Sequence, residues 1–280
     1  MDYLKINFDQ IRFGAMRVAF ESLERGFQKF GIDFYLIGAF ARDMWMNHLD
    51  DLPERRTTYD VDFSIYVQSL EEFTDLKKYL VESEGYVLDE EPYRLYAADG
   101  TMIDLIPFGG LERKKQVYLE GNPPMALSVF GNMEVYQHAR SVQVNGNDFK
   151  VCTLPGLCIL KLISGHEKAD RFEKDMGDLY YILENYFDIA GETFYDGEYD
   201  DLIDEEFVPL LSAAKMLGRQ IKMILKDSEE LRAKIMSLLT KLMEKFNSEE
   251  INQMYQIQPD DEHIRRLKLI SILFDEIGTR

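Results

Sequence analysis

Every segment of the chain with strand chemistry lies before residue 153, and from Leu154 onward apolar residues recur only at helical spacings. A chain divided in this way reads as an α/β half, about 1–150, followed by a helical half, about 151–280. The length of 280 residues is a prior for two domains, and a hydrophobic content of 46% supplies enough material for their cores.

In the first half, Phe8, Ile11, Ala15, Phe20, Leu23, Phe27 and Phe30 recur close to helical spacing, which predicts an opening helix over 8–30. Phe34–Ile37 is a short strand ending at Gly38, and 39–49 favours helix. After a charged loop over 50–58, Val61, Phe63, Ile65 and Val67 alternate with Asp60, Asp62, Ser64 and Tyr66, a strand with one apolar and one polar face. Ser69 and Glu72 form a capping box opening a helix that buries Phe73, Leu76 and Leu80 and ends at Gly85. Tyr93–Ala97 and Thr101–Phe108 form a hairpin around Ala98-Asp99-Gly100, and Val135–Val144 with Phe149–Thr153 a second one.

In the second half, Pro155 occupies a first helical turn, followed by Leu157, Leu160 and Ile163. Asp170 and Glu173 predict the cap of a helix with Phe172, Met176, Leu179 and Leu183 on one stripe, ending near Tyr186. Residues 188–207 are acidic throughout with no basic residue, which predicts a solvated loop or insertion. Later core faces are Leu217, Ile221 and Ile224, then Ile235, Leu238, Leu242 and Phe246, then Ile264, Leu267 and Leu273.

Thirty-two Lys and Arg against 51 Asp and Glu give a net charge of -19, which opposes sequence-independent binding to duplex DNA or anionic lipid. RNA would need a local basic strip, for which Arg55, Arg56, Arg113, Lys114 and Lys115 are the candidates, on loops expected to share one rim of the site. The longest apolar stretch, 34–41, is far short of a membrane span, and residues 1–20 lack the apolar run of a secretory signal. Cys152 and Cys158 make no disulfide framework, so a cytoplasmic location is expected.

Chemistry concentrates at Asp60-Val61-Asp62. Alternation along a strand projects both carboxylates from one face, where they repel unless a cation such as Mg²⁺ neutralises them. Asp104, amid Ile103, Leu105 and Ile106, becomes a third ligand if its strand lies beside the first. The plainer alternative is an acidic pair on a solvated strand face. About twenty residues upstream, Gly38-Ala39-Phe40-Ala41-Arg42-Asp43 forms a strand-to-helix corner of the kind whose backbone N–H groups favour anions.

The run Gly-Ala-x-Ala-Arg-Asp, then Asp-x-Asp on the next strand, then a later strand Asp, resembles the DNA polymerase β-like nucleotidyltransferase superfamily. Leu154-Pro155-Gly156-Leu157 with Lys161, then 171–179, is similar to its AbiEii-type branch, which includes toxin nucleotidyltransferases. The corner at Gly38 is similar also to that of tRNA CCA-adding enzymes and aminoglycoside nucleotidyltransferases, so the acceptor stays open. The chain differs from the pattern at Ala39, which removes a hydroxyl contact to phosphate and keeps the backbone N–H.

The resemblance implies a polymerase β-like nucleotidyltransferase fold with a mixed sheet and a C-terminal helical domain, with the active site between the two. It implies Mg²⁺ or Mn²⁺ on Asp60, Asp62 and Asp104, with Asp104 also a candidate general base, and an NTP as substrate. Gly38, Ala39 and Arg42 would hold phosphates, and Lys161, Arg171 and Lys174 would lie near the triphosphate. The acceptor it implies would be tRNA, as in toxin-like relatives with an antitoxin-like protein partner, or a small cationic, aminoglycoside-like molecule. A third reading is an inactive nucleotide-binding regulatory protein. From spacing alone, Arg171 with Asp175 and Lys174 with Asp178 are ordinary i, i+4 pairs on a solvated helix.

Other motifs fail. His166-Glu167 lacks the second histidine of a metalloprotease helix, and the 196–207 window has Asp201 and Phe207 where a calcium loop needs Gly and Glu. Trp45, Phe34 and Tyr35 read as packing residues.

Overall fold

The computed structural model describes residues 4–6, 17–46, 60–121, 123–144, 147–203, 207–250 and 262–279. The chain divides into two compact units, Met1–Thr153 and Leu154–Arg280.

In the first unit the elements run β1 (Leu4–Ile6), α1 (Arg17–Phe30), β2 (Asp33–Ile37), α2 (Gly38–Met46), β3 (Asp60–Val67), α3 (Leu70–Glu84), β4 (Val87–Leu88) and β5 (Arg94–Tyr96). They continue with β6 (Met102–Gly109), β7 (Gln116–Leu119), β8 (Met125–Ser128), α4 (Asn132–Gln137), β9 (Arg140–Val144) and β10 (Asn147–Val151). Eight strands form one sheet in the order β1-β9-β10-β2-β3-β6-β5-β4, and β7 and β8 form a separate hairpin. The large sheet is mixed, as expected: β1 with β9, β10 with β2 and β3 with β6 are parallel, and its other pairs are antiparallel.

Strand β3 sets the layout. Its Val61, Phe63, Ile65 and Val67 are buried, and the Phe63 ring meets Phe20 and Phe27 of α1 and Phe34 of β2 at centroid distances of 5.2, 6.1 and 5.8 Å. The opposite face is not uniformly wet. Ser64 is fully buried, Tyr66 stacks on Tyr136 of α4 at 6.2 Å, and Tyr35 donates a hydrogen bond of 3.0 Å to Asn132 Oδ1. Helix α4 therefore covers the C-terminal half of that face and leaves the half-buried Asp60 and Asp62 at the other end. The cap of α3 forms as expected on its forward side, where Ser69 Oγ accepts from the Glu72 N–H at 3.2 Å. Glu72 returns to the Gln68 N–H at 2.6 Å, one residue earlier than a capping box requires.

Three expectations for this unit need revision or lie beyond the description. Val135 belongs to helix α4, and the strand expected from it begins only at Arg140. Hairpin β7–β8 escaped the sequence reading because Gln116 and Tyr118 alternate with Val117 and Leu119 over only four residues, too few for a periodic signal. Residues 8–16 of the expected first helix, and the 50–58 loop, lie outside the described residues.

The second unit contains α5 (Leu154–Glu167), α6 (Phe172–Ala190), α7 (Pro209–Leu225), α8 (Glu229–Glu250) and α9 (Glu262–Gly278). Asp170 does not cap α6, because Ala169–Arg171 is a 3₁₀ turn and Arg171 takes the N-cap position without a capping side-chain bond. Helix α6 also runs past Tyr186 to Ala190. The acidic segment is no plain solvated loop: it contains 3₁₀ turns at Gly191–Tyr195 and Asp200–Leu202 and buries Phe194, Tyr199 and Leu202. Phe194 packs on Phe187 at 5.5 Å and Phe207 at 5.9 Å, an aromatic anchor that the carboxylates disguised. One of those carboxylates, Asp201, accepts a two-pronged bond from Arg219 of α7 at 2.8 and 2.6 Å. In α9 the buried face is Leu269, Ile270, Leu273 and Ile277, with Ile264 and Leu267 only half-buried. Among the described residues, no helix is long and apolar enough to cross a membrane.

Candidate functional site

The sheet register builds one row of polar side chains in the first unit. Ile37 of β2 pairs with Asp62 of β3, Asp62 pairs in parallel with Asp104 of β6, and Asp104 pairs with Arg94 of β5. Directly paired residues on adjacent strands share a face, so Asp62, Asp104 and Arg94 line up across three strands, with Asp60 two residues along on the same face as Asp62.

At one end of the row the Asp62 carboxylate lies against the start of α2. A side-chain carbon added at Gly38 would sit 2.0 Å from Asp62 Oδ2. Gly38 also has φ +74, in the left-handed region where only glycine rests without cost. The turn thus needs glycine twice over, for its backbone and for the carboxylate it admits.

The other end carries a feature that sequence reasoning missed. Arg94 donates from Nε to Asp104 Oδ1 at 2.7 Å and from Nη2 to Oδ2 at 2.8 Å, a fork that engages both carboxylate oxygens. The Asp104 side chain is 7% exposed and that of Arg94 is 24% exposed. The bond to Asp104 raises the guanidinium pKa above its ordinary value. The signal was present in the hairpin itself, since a turn at Ala98-Asp99-Gly100 with Ala97 opposite Thr101 sets residue 94 across from residue 104.

Asp62 and Asp104, two of the three expected metal-binding carboxylates, are thus directly paired across the sheet. Among the described residues, no group of three or more His, Cys, Asp or Glu side chains is arranged to hold a metal ion. Asp104 is engaged by the Arg94 guanidinium. Carboxylate oxygens such as those of Asp60 and Asp62 are the donors that Mg²⁺ and Mn²⁺ take, hard ions that use one or two carboxylates and complete their shell with water and phosphate oxygens.

Of the expected phosphate contacts, Gly38 and Ala39 form the corner, and Ala39 is buried. Arg42 faces inward on α2, 4% exposed, with its guanidinium 2.7 and 2.6 Å from Asp43 Oδ1. Trp45 donates to the Cys152 carbonyl at 2.7 Å, a packing role as expected.

Arg113 and Lys114 are exposed in the turn after β6. That turn follows the far end of β6, five residues and roughly 17 Å along the strand from Asp104. The basic cluster thus departs from the end of β6 opposite the carboxylates and does not share a rim with them. Arg55 and Arg56 lie outside the described residues.

In the second unit, Lys161 of α5 lies 2.8 Å from Asp175 Oδ1 and 2.9 Å from Asp178 Oδ2 of α6. Asp175 and Asp178 thus turn to Lys161 rather than to the i−4 cations Arg171 and Lys174 of the expected ladder. The three side chains are 12%, 1% and 7% exposed. The helices approach closely beside this cluster because Gly165 faces α6, where an added side-chain carbon would sit 2.9 Å from the Met176 methyl and 3.2 Å from Asp175 Cβ. Burial alone would lower the Lys161 pKa, but Asp178 and Asp175 together raise it above the ordinary lysine value. Lys174 is exposed and Arg171 half-buried, so the structure brings only Lys161 of the three expected cations into this cluster. His166 donates from Nδ1 to the Leu162 carbonyl, 2.8 Å away, and packs edge-on to Phe172.

No known family description matches the sequence, and none of the curated proteins is similar to it. Among solved structures, the chain is similar to the antibiotic-resistance factor ANT(2'')-Ia at 12% identity and TM-score 0.36, over 86% of this chain and 98% of that one. It is also similar to an antigenic nucleotidyltransferase-like protein from Paracoccidioides brasiliensis at 15% identity and TM-score 0.38, over 79% of this chain and 91% of that one. Overlap at this level is too loose to assign an activity.

Proposed function

We propose that the chain is a metal-dependent nucleotidyltransferase that moves an NMP group from an NTP to a hydroxyl acceptor with release of pyrophosphate. The observation that carries the reading is the cross-strand row in which Asp62 lies between the Gly38 turn and Asp104. Asp60 and Asp62 would hold the divalent ion, which when bound supplies charge neutralisation for the phosphates. The corner at Gly38 and Ala39 directs backbone N–H groups at anionic oxygen. Asp104 retains lone pairs beyond the two used by Arg94 and takes the proton of the acceptor hydroxyl. That oxygen then bonds to the α-phosphorus as the bond to pyrophosphate breaks, so charge and protons balance.

The net charge of -19 supports a cationic small molecule over tRNA as the acceptor, as does the departure of the Arg113 turn from the opposite end of β6. The test offers α-³²P-labelled ATP and GTP, with Mg²⁺, to a tRNA pool and to a polycationic amino sugar in parallel. Label is expected on the cation, and chelation with EDTA should lower transfer by more than about a hundred-fold, since a metal's Lewis acidity is worth several kcal/mol. Labelled tRNA would overturn the acceptor assignment, and undiminished transfer in EDTA the metal assignment. Nucleotide binding without transfer to either acceptor would favour the inactive regulatory reading.

A further inference from the structure

We propose that the open edge of β7 takes the C-terminal segment of a partner protein as an added antiparallel strand, with a basic residue opposite Glu120, an apolar one opposite Tyr118 and the terminal carboxylate at Arg113. The site lies beyond the end of β6 opposite the carboxylate row, and it does not depend on the nucleotidyltransferase reading.

Register leaves this edge unpaired. The Val129 N–H donates to Lys115 O at 3.0 Å, so by antiparallel alternation Val117 and Leu119 exchange their hydrogen bonds with Leu127 and Met125 of β8. The main-chain groups of Gln116, Tyr118 and Glu120 therefore point away from β8. Those of Gln116 are taken by Arg113, whose N–H donates to Gln116 O at 2.8 Å and whose carbonyl accepts from the Gln116 N–H at 3.1 Å. No further pair joins the 110–113 segment to β7, and no described residue bonds to the main-chain groups of Tyr118 or Glu120. A cavity of about 690 Å³ opens there, lined by Glu112 and Arg113, by Tyr118 and Glu120, and by Gln68 and Ser69.

Topology explains why a cavity stands at this place. Strands β3 and β6 are parallel neighbours. The chain leaves β3 into α3, which packs through Leu76 and Leu80 against Gly26 of α1 on the Phe63 face, whereas after β6 it reaches α4 on the Tyr66 face. A crevice outside the carboxyl ends of strands whose connections depart to opposite faces is where open α/β sheets take ligands.

The lining selects an extended peptide. Tyr118 and Glu120 offer N–H and carbonyl groups at alternate residues, the pattern that an added strand satisfies. The Tyr118 ring is 54% exposed yet held by a 2.9 Å bond from its Oη to Gln116 Oε1, so it offers an ordered apolar wall at little entropic cost. Val117 and Leu119 are buried and anchor the hairpin from its other face. Exposed Arg113 and Glu120 give the slot opposite charges at its two ends, four residue steps or roughly 14 Å apart counted from Gln116. Four extended residues fill that span, and antiparallel pairing directs their carboxyl end to Arg113.

The peptide acetyl-Lys-Thr-Val-Thr with a free carboxyl terminus, titrated into the full chain and followed by line broadening of its nuclear magnetic resonance signals, tests the assignment. Wild type should bind it with a dissociation constant of about 1 mM or tighter. Amidating its carboxyl terminus should weaken binding about five-fold, and Arg113→Met should bind acid and amide within about two-fold of each other. Glu120→Lys should weaken binding about five-fold, and N-methylation of the Val that faces Tyr118 about ten-fold, because a ladder bond is lost. Absence of binding at about 1 mM would overturn the proposal, as would equal affinity of wild type for acid and amide. Undiminished binding of the N-methylated peptide would mean that side chains alone are held, as a small molecule would be, and would overturn strand addition. A solution dimer lost in Glu120→Lys would give the edge to a second copy of the chain and overturn it equally.

Discussion

Replacing Lys161 by Met should lower the stability of the second unit by about 3–5 kcal/mol, the usual cost of removing one partner from a buried ionic cluster. Lys161 is the cation set against Asp175 and Asp178, and all three side chains are largely buried. No described residue donates to Asp175 Oδ2, so that carboxylate already depends on the lysine's charge. For a unit of this size the loss corresponds to roughly 10–20 °C in the thermal midpoint. Adding Asp175→Asn and Asp178→Asn to Lys161→Met should restore much of it, because the stranded charges disappear. The pH dependence has a definite sign. Because the folded-state pKa of Lys161 is raised, its contribution is complete below the ordinary lysine value of about 10.4 and is lost as pH climbs through the folded value. Wild type should therefore lose stability in that alkaline range more steeply than Lys161→Met. Circular dichroism melts across pH check both statements, and equal midpoints at neutral pH would show that the cluster is hydrated and weak.

Gly38→Ala should separate backbone cost from site damage, with Gly31→Ala as its control. Both glycines are left-handed, at φ +74 and φ +65, so each substitution costs about 1–2 kcal/mol in backbone strain. Only at Gly38 does the new carbon meet anything within 4 Å, and there it overlaps Asp62 Oδ2 at 2.0 Å. The carboxylate must move, and a displacement of about an ångström at a reacting centre costs roughly a hundred-fold in rate. Gly38→Ala is expected to lose nucleotidyl transfer by about that factor. Gly31→Ala should melt early and keep its activity. Retained transfer in Gly38→Ala would remove Asp62 from the site.

Strand β3 was legible because a period of two over Val61, Phe63, Ile65 and Val67 has one physical solution, a strand buried on that face. The carboxylate pair followed from the same period. The pairing of Asp62 with Asp104 was legible only as a condition, since it joins strands that are distant in sequence and no local rule selects that partner. Arg94 was missed because a single arginine in a short strand looks like a solvent-facing residue until its cross-strand neighbour is counted. In the second unit, the offsets of Asp175 and Asp178 were read correctly as one helix face, but the partner chosen was the nearest cation in sequence. The cation that reaches them, Lys161, is on a neighbouring helix brought close beside Gly165, and close approach of helices leaves only a weak trace in sequence. The segment over 188–207 misled for a different reason, because charge density outweighed Phe194, Tyr199 and Leu202 in the composition while burial went to those three.

The central claim, that Asp60 and Asp62 bind a metal whose shell is completed by an NTP, is tested most directly by thermal unfolding with nucleotide in the presence and absence of metal. Binding to the native state at a hundred times the dissociation constant adds about 2.7 kcal/mol, enough to raise the midpoint by several degrees. A non-hydrolysable NTP analogue should give that rise with Mg²⁺ or Mn²⁺, and neither in EDTA nor in the Asp62→Asn variant. An equal rise in EDTA, or an undiminished rise in Asp62→Asn, would contradict the account.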